Sequence, residues 1–176
     1  MRLFVAVFPP EDVLAELRGR LATALAAAGR KVRLTPVDRW HLTLAFLGEV
    51  EPERLPDVER ALDAVVPSGP LRLRLSGGGS FGRARSAVLW AGVHGDLDGL
   101  ASLHAGLRGA LVAAGLPHDE RPFTPHLTVA YANSAEVREA LRDHAGATWS
   151  ADEFVLVRSL HAEGGGYQRL RAWPLS

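Results

Sequence analysis

Trp40-His41-Leu42-Thr43-Leu44 returns as Pro125-His126-Leu127-Thr128-Val129, and this repeated His-Leu-Thr decides the fold. Each copy lies in a short apolar run that reads as a strand, where successive side chains point to opposite faces. His41 and Thr43 then share one face, with Leu42 and Leu44 behind them, and His126 and Thr128 share a face backed by Leu127 and Val129. The apolar members can anchor each strand to a core. The imidazoles and hydroxyls are left to line a surface or cleft, and they are the parts that acid–base chemistry on a phosphate ester needs.

Working outward, the same order of elements appears twice. Residues 2–8 read as a buried strand. Leu14, Leu17, Leu21 and Leu25 mark a helix over about residues 11–28, stopping near Gly29. Residues 41–47 form the first His-x-Thr strand, and Leu55, Val58, Leu62 and Val65 a second helix. Leu71, Leu73 and Leu75 alternate with Arg72 and Arg74 as a half-buried strand, and 76–80 (Ser-Gly-Gly-Gly-Ser) read as a turn or loop. The second half gives a strand at 86–93 and a helix through Leu97, Leu100, Leu103, Leu107 and Leu111 that stops near Gly115. The second His-x-Thr strand follows at 126–131, then a short helix around Val137 to Leu141, and strands at 153–161 and 167–173. The two histidines stand 85 positions apart, and the two glycine stops nearly the same.

An internal duplication explains this order. The expectation is an α+β chain forming one bilobal domain over 1–176, with lobes of about 1–80 and 81–176. Each lobe is a β-α-β-α-β unit, related to the other by a pseudo-two-fold axis. Antiparallel-type sheets face a central cleft where the His-x-Thr strands meet.

Composition narrows the function. The chain has 176 residues, 47% of them hydrophobic, which suits a globular core. Lys plus Arg equal Asp plus Glu at 20 each, so no global positive field attracts nucleic acid and any RNA contact is local. The absence of cysteine excludes disulfides, thiolate metal sites and cysteine nucleophiles. The apolar opening stops at Pro9-Pro10, too short for a signal or membrane segment. A cytoplasmic monomer with no membrane association is expected. Gly77-Gly78-Gly79 lacks the following Gly-Lys-Ser/Thr of a phosphate-binding loop. His94, His104, His118, His144 and His161 are not spaced as metal ligands, and neither metal nor cofactor is expected.

Displacement at phosphorus runs in line, so one group takes a proton from the nucleophile while another, opposite, gives one to the leaving oxygen. Two histidines across a two-fold axis meet that demand, and threonine hydroxyls can donate to the non-bridging oxygens. Arg121 is a candidate for phosphate or base contact, and Phe8, Phe123 and Tyr167 are candidates to flank a nucleobase. Arg72, Arg74, Arg83 and Arg85 form a local basic group that either tracks RNA or is a solvated face.

These residues resemble a known family. The paired His-x-Thr motifs, the opening Arg2-Leu3-Phe4-Val5-Ala6-Val7, the stretch Arg121-Pro122-Phe123-Thr124-Pro125-His126, Val88-Leu89-Trp90-Ala91-Gly92-Val93 and the terminal Tyr167 to Leu170 are similar to the two-histidine (2H) phosphoesterases. More narrowly they resemble RNA 2′,3′-cyclic phosphodiesterases, also called 2′-5′ RNA ligase-like proteins. The resemblance covers essentially the whole chain. It implies metal-independent hydrolysis of RNA 2′,3′-cyclic phosphate ends to 2′-phosphomonoesters, with His41 as proton donor and His126 as proton acceptor, and 2′-5′ ligation as the reverse reaction. The sequence by itself does not order the two histidines. Competing readings are a small cyclic phosphate or 2′-5′ oligonucleotide as substrate, a module that binds phosphorylated RNA ends or nucleotides without turnover, and a metal hydrolase.

Overall fold

The computed structural model describes residues 1–176, the side chain of Ala162 excepted. Its strands are β1 (Arg2–Val7), β2 (Leu42–Glu49), β3 (Leu71–Phe81), β4 (Val88–Gly95), β5 (His126–Ala130), β6 (Trp149–Ala151), β7 (Glu153–Ser159) and β8 (Tyr167–Pro174). The helices are α1 (Glu11–Ala27), α2 (Leu55–Asp63), α3 (Leu97–Ala113) and α4 (Ala135–Asp143). Leucines three or four residues apart give α1 and α3 one apolar face each, and Leu17, Leu21, Leu100, Leu107 and Leu111 are wholly buried. Both helices end where expected, before Gly29 and Gly115, whose φ of 63° and 64° closes the last turn in the left-handed region. Among the described residues no helix is long and apolar enough to cross a membrane.

All eight strands join one antiparallel sheet in the order β6-β3-β4-β5-β2-β1-β7-β8. The sheet has two four-stranded halves that meet edge to edge at β5 and β2. The order maps onto itself when β1 exchanges with β4, β2 with β5, β3 with β7 and β6 with β8. The sequence midpoint near residue 80 is not the midpoint of the sheet. β3 pairs with β4 and β6, while β7 and β8 return to extend β1. The first half of the chain thus lends β3 to the half-sheet of β4 and β5, and the second half lends β7 and β8 to that of β1 and β2.

β1 is buried on both faces, which is why it is an unbroken apolar run rather than an alternating one. Leu3, Val5 and Val7 join the main core under the helices, while Phe4 and Ala6 join a second cluster with Val155 and Val157 on the opposite face. That second face carries the cleft.

Residues 76–80, expected as a loop, lie inside β3. A register shift between Leu75 and Gly78 absorbs Ser76 and Gly77, and pairing then resumes from Gly78↔Ala91 to Phe81↔Val88. The glycines serve close approach instead of flexibility. A Cβ on Gly78 would fall 2.4 Å from the Trp90 carbonyl oxygen, and one on Gly79 would fall 2.6 Å from the Trp90 indole ring.

Candidate active site

β2 and β5 share a single bridge, Leu42↔Leu127, so the two His-x-Thr strands are neighbours only at their motifs and splay beyond them. Each strand also carries a bulge one residue past its threonine. On β1, Val5 pairs with Ala45 and Ala6 with Thr43, leaving Leu44 extra; on β4, Leu89 pairs with Ala130 and Trp90 with Thr128, leaving Val129 extra. A bulge adds a residue and shifts the in–out alternation. Leu44 and Ala45 are both buried, as are Val129 and Ala130, and the next side chains, Phe46 and Tyr131, rejoin the face of the His-x-Thr side chains.

His41 Nδ1 donates to the Arg39 carbonyl at 2.6 Å, and His126 Nδ1 donates to the Thr124 carbonyl at 2.6 Å. A carbonyl can only accept, so both rings carry hydrogen on Nδ1 and keep Nε2 for the cleft. In His41, Nε2 accepts from the Thr43 hydroxyl at 2.9 Å. Aromatic rings brace both imidazoles. Phe4 stacks on His41 at 4.9 Å and Tyr167 meets it edge-on at 5.3 Å; Phe81 meets His126 edge-on at 5.1 Å and Trp90 lies 6.0 Å away.

The cleft has a volume of about 710 Å³ and is lined by His41, Thr43, His126 and Thr128, with Arg2, Arg33, Arg39 and His161 among its other members. Among the described residues no aspartate or glutamate lines it. Among the described residues no three His, Asp or Glu side chains gather where they could hold a metal ion. An anion is the ligand this lining suits. Burial pushes the His41 pKa down to about 4 against a smaller upward pull from the Arg39 hydrogen bond, with the facing His126 lowering it further. The ring is therefore neutral in the empty cleft. Desolvation raises the Tyr167 pKa, with Tyr131 adding to the rise and Arg39 and Arg2 opposing it.

Of the residues expected at the site, His41, Thr43, His126, Thr128 and Tyr167 meet in the cleft. Phe8 lies at its flank, 5.8 Å from His41, with its ring covered by the Arg169 guanidinium at 3.9 Å, and it opens onto a neighbouring groove against α1. Phe123 is turned to the core, stacked on His104 at 4.3 Å, and Arg121 is exposed and held by Asp119; neither lines the cleft. Arg72, Arg74, Arg83 and Arg85 do not line it either. The sequence reading passed over Arg2, Arg33, Arg39, Phe4, Phe46 and Tyr131. Phe46 and Tyr131 were detectable only as a three-residue step after each threonine, which is the mark of a bulge.

Fold and site together define a two-histidine phosphoesterase. A family model described as the 2′-5′ RNA ligase superfamily matches residues 32–163, and the chain belongs to that family. It is 35% identical to a Thermus thermophilus protein named RNA 2′,3′-cyclic phosphodiesterase, over 99% of this chain and 90% of that one. It is 34% identical to the protein of that name from Escherichia coli K12, over 99% of this chain and 97% of that one. A Geobacillus stearothermophilus protein of the same name is 36% identical over 77% of this chain, which spans 45% of the longer relative. Among solved structures, Thermus thermophilus TT0787 superposes with a TM-score of 0.77 at 33% identity, covering 99% of this chain and 98% of that one. Escherichia coli LigT complexed with 3′-AMP gives 0.75 at 30% identity, with the same coverage of each chain.

Proposed function

We propose that this protein opens 2′,3′-cyclic phosphodiesters at RNA ends to 2′-phosphomonoesters by metal-independent acid–base catalysis. The observation that carries the proposal is the pair of imidazoles, each fixed through Nδ1 to the backbone two residues upstream and each keeping Nε2 for one carboxylate-free, arginine-bearing cleft. Water attacks phosphorus as His126 Nε2 takes its proton. The bond from phosphorus to O3′ breaks in line, and O3′ leaves with the proton from His41. Thr43 and Thr128 donate to the non-bridging oxygens, where charge accumulates. The product keeps its phosphate on O2′ and has a free 3′-hydroxyl.

The lopsided cleft supports this order of roles. Most of its lining comes from the half-sheet of β2, β1, β7 and β8 and from the segment before β2: Arg2, Phe4, Arg39, Ser159 and Tyr167 are on that side, whereas β5 supplies little beyond His126 and Thr128. The nucleoside, the bulky part of the substrate, fits beside His41, which sets that ring against the leaving O3′ and leaves the His126 side to water. Neutral in the empty cleft, His41 gains its proton as the phosphate anion arrives and provides the counter-charge that the buried ring lacks. With a 5′-hydroxyl in place of water as the nucleophile, the same groups join a cyclic phosphate end to that hydroxyl in a 2′-5′ linkage, O3′ again leaving with the proton from His41; abundant water favours hydrolysis.

The test is hydrolysis of the four nucleoside 2′,3′-cyclic phosphates and of a short RNA with a cyclic phosphate end, in EDTA, with 2′ and 3′ products resolved. Chelator-resistant 2′-phosphate is expected. A 3′-phosphate product would reverse which oxygen leaves, and no turnover of any of these esters would sink the proposal.

A further inference from the structure

We infer that Tyr131 is the platform on which the nucleobase of the reacting nucleotide stacks. The inference rests on the phosphodiesterase reading above and adds the base subsite to it.

Five aromatic rings stand around the His41 side of the cleft: Phe4, Phe8, Phe46, Tyr131 and Tyr167. Four are engaged. Phe4 lies flat on His41, Tyr167 is set edge-on to both Phe4 and His41, Arg169 covers Phe8, and Arg2 stands 5.3 Å over Phe46. Phe46 and Tyr167 are also packed against the Phe4–Val157 cluster. Tyr131 lines the same cleft at 69% exposure, and no aromatic or guanidinium group covers its ring among the described residues. The other exposed aromatic, Phe81, is spent on Trp90 and His126.

The bulge at Val129 aims Tyr131. Without it, Tyr131 would fall on the face of Leu127 and Val129, toward the core; with it, the ring follows His126 and Thr128 onto the cleft face. Because β5 runs antiparallel to β2 from the Leu42↔Leu127 bridge, the chain past Thr128 travels toward Arg39 and His41. The influence of Tyr131 on Tyr167 agrees with that placement. Tyr131 and Phe46 hold matching positions after the two His-x-Thr motifs, 85 positions apart, yet they differ: one ring is half-buried under arginine and the other is open. An open ring beside the half of the cleft that holds the nucleoside is a stacking surface that any base can use.

The experiment compares adenosine 2′,3′-cyclic phosphate with 1-O-methyl-ribofuranose 2,3-cyclic phosphate, which has no base, in the unaltered protein, Tyr131→Ala and Tyr131→Phe. Tyr131→Ala is expected to lower the ratio of kcat/KM for the adenosine ester over the base-free ester by about tenfold, mainly through KM, and Tyr131→Phe to keep the ratio. An unchanged ratio in Tyr131→Ala, or an equal loss on both esters, would overturn the platform. Failure of the unaltered protein to turn over any cyclic phosphate has a different signature, and it would bring down the phosphodiesterase reading and the platform with it.

Discussion

At the scale of the residue, each histidine spends one ring nitrogen on the backbone and keeps the other for the cleft, and the two differ in how deeply they are set. Replacing either with alanine removes a proton carrier, so kcat should fall by about 10²–10⁴ for His41→Ala and for His126→Ala in steady-state hydrolysis. Thr43→Val and Thr128→Val keep shape but lose a hydroxyl donor, and about 10² in kcat is expected for each. His41 also has two pH signatures. Its pKa is held at about 4 in the empty cleft and must rise when the anion binds. The alkaline limb of kcat, which reports the complex, should therefore lie at higher pH than that of kcat/KM, which reports the free enzyme; coincident limbs would refute His41 as the donor. For stability the sign is fixed by linkage. Between the unfolded value of 6.5 and about 4 the unfolded chain binds a proton that native His41 refuses, so stability falls as pH drops through that window. The contribution from pH 6.5 to 5 is about 2 kcal/mol, and buried His144, also lowered chiefly by desolvation, adds in the same direction. Urea unfolding at the two pH values should show a smaller loss in His41→Gln than in the unaltered protein.

Between residue and fold stand the elements, and here the bulges do the aiming. Past the Leu42↔Leu127 bridge the motif strands diverge, and the carbonyls of the bulged residues are taken by inserted groups. His104 on α3 donates from Nδ1 to Leu44 O at 2.6 Å; Thr35 donates to Val129 O through its backbone N–H at 2.8 Å and its hydroxyl at 3.1 Å. Trp40, fully buried next to His41, donates from its indole N–H to Thr35 Oγ1 at 2.7 Å, so the residue before one motif is tied to the strand of the other. His104 does the same in reverse, since its ring also stacks on Phe123, three residues before His126. His104→Ala should cost about 1–2 kcal/mol in chemical denaturation and lower kcat without touching the cleft, and His104→Asn, which keeps a donor, should recover part of both. Much of this level was legible in sequence: helix stops at Gly29 and Gly115 and strand alternation at Leu71 to Leu75 are local signals. The loop reading of residues 76–80 went astray because glycine density there answers to the Trp90 indole across the strand, a tertiary neighbour. Phe123 was likewise read as a base contact because nothing local reveals that His104, nineteen positions upstream, takes its face.

For the whole molecule, the exchange of β3 for β7 and β8 determines what can fold alone. The paired His-x-Thr strands and the order of elements were readable because they repeat at a fixed spacing; the exchange was not, since neither the alternation of β3 nor the continuous apolar run of β7 says which half-sheet it joins. Residues 1–80 contain β1 and β2 but not β7 and β8, which complete their half-sheet, and they contain β3 without β4 and β6 beside it. Residues 81–176 have the converse deficit. Each fragment would expose strand edges and the apolar faces of Leu71, Leu73 and Leu75 or of Phe154 and Leu156, all buried in the intact sheet. The intact chain should therefore unfold in one cooperative transition, with far-UV circular dichroism and tryptophan fluorescence tracing the same urea curve. Either fragment expressed alone should lack a folded transition. Co-expressed after a cut at the exposed 82–86 turn, the two should reassemble and regain cyclic phosphodiesterase activity, because His41 and His126 come from opposite fragments and meet only when β2 finds β5. Two separate transitions, or a fragment that folds by itself, would mean that the lobes are independent domains and that the exchanged strands contribute little to holding the cleft together.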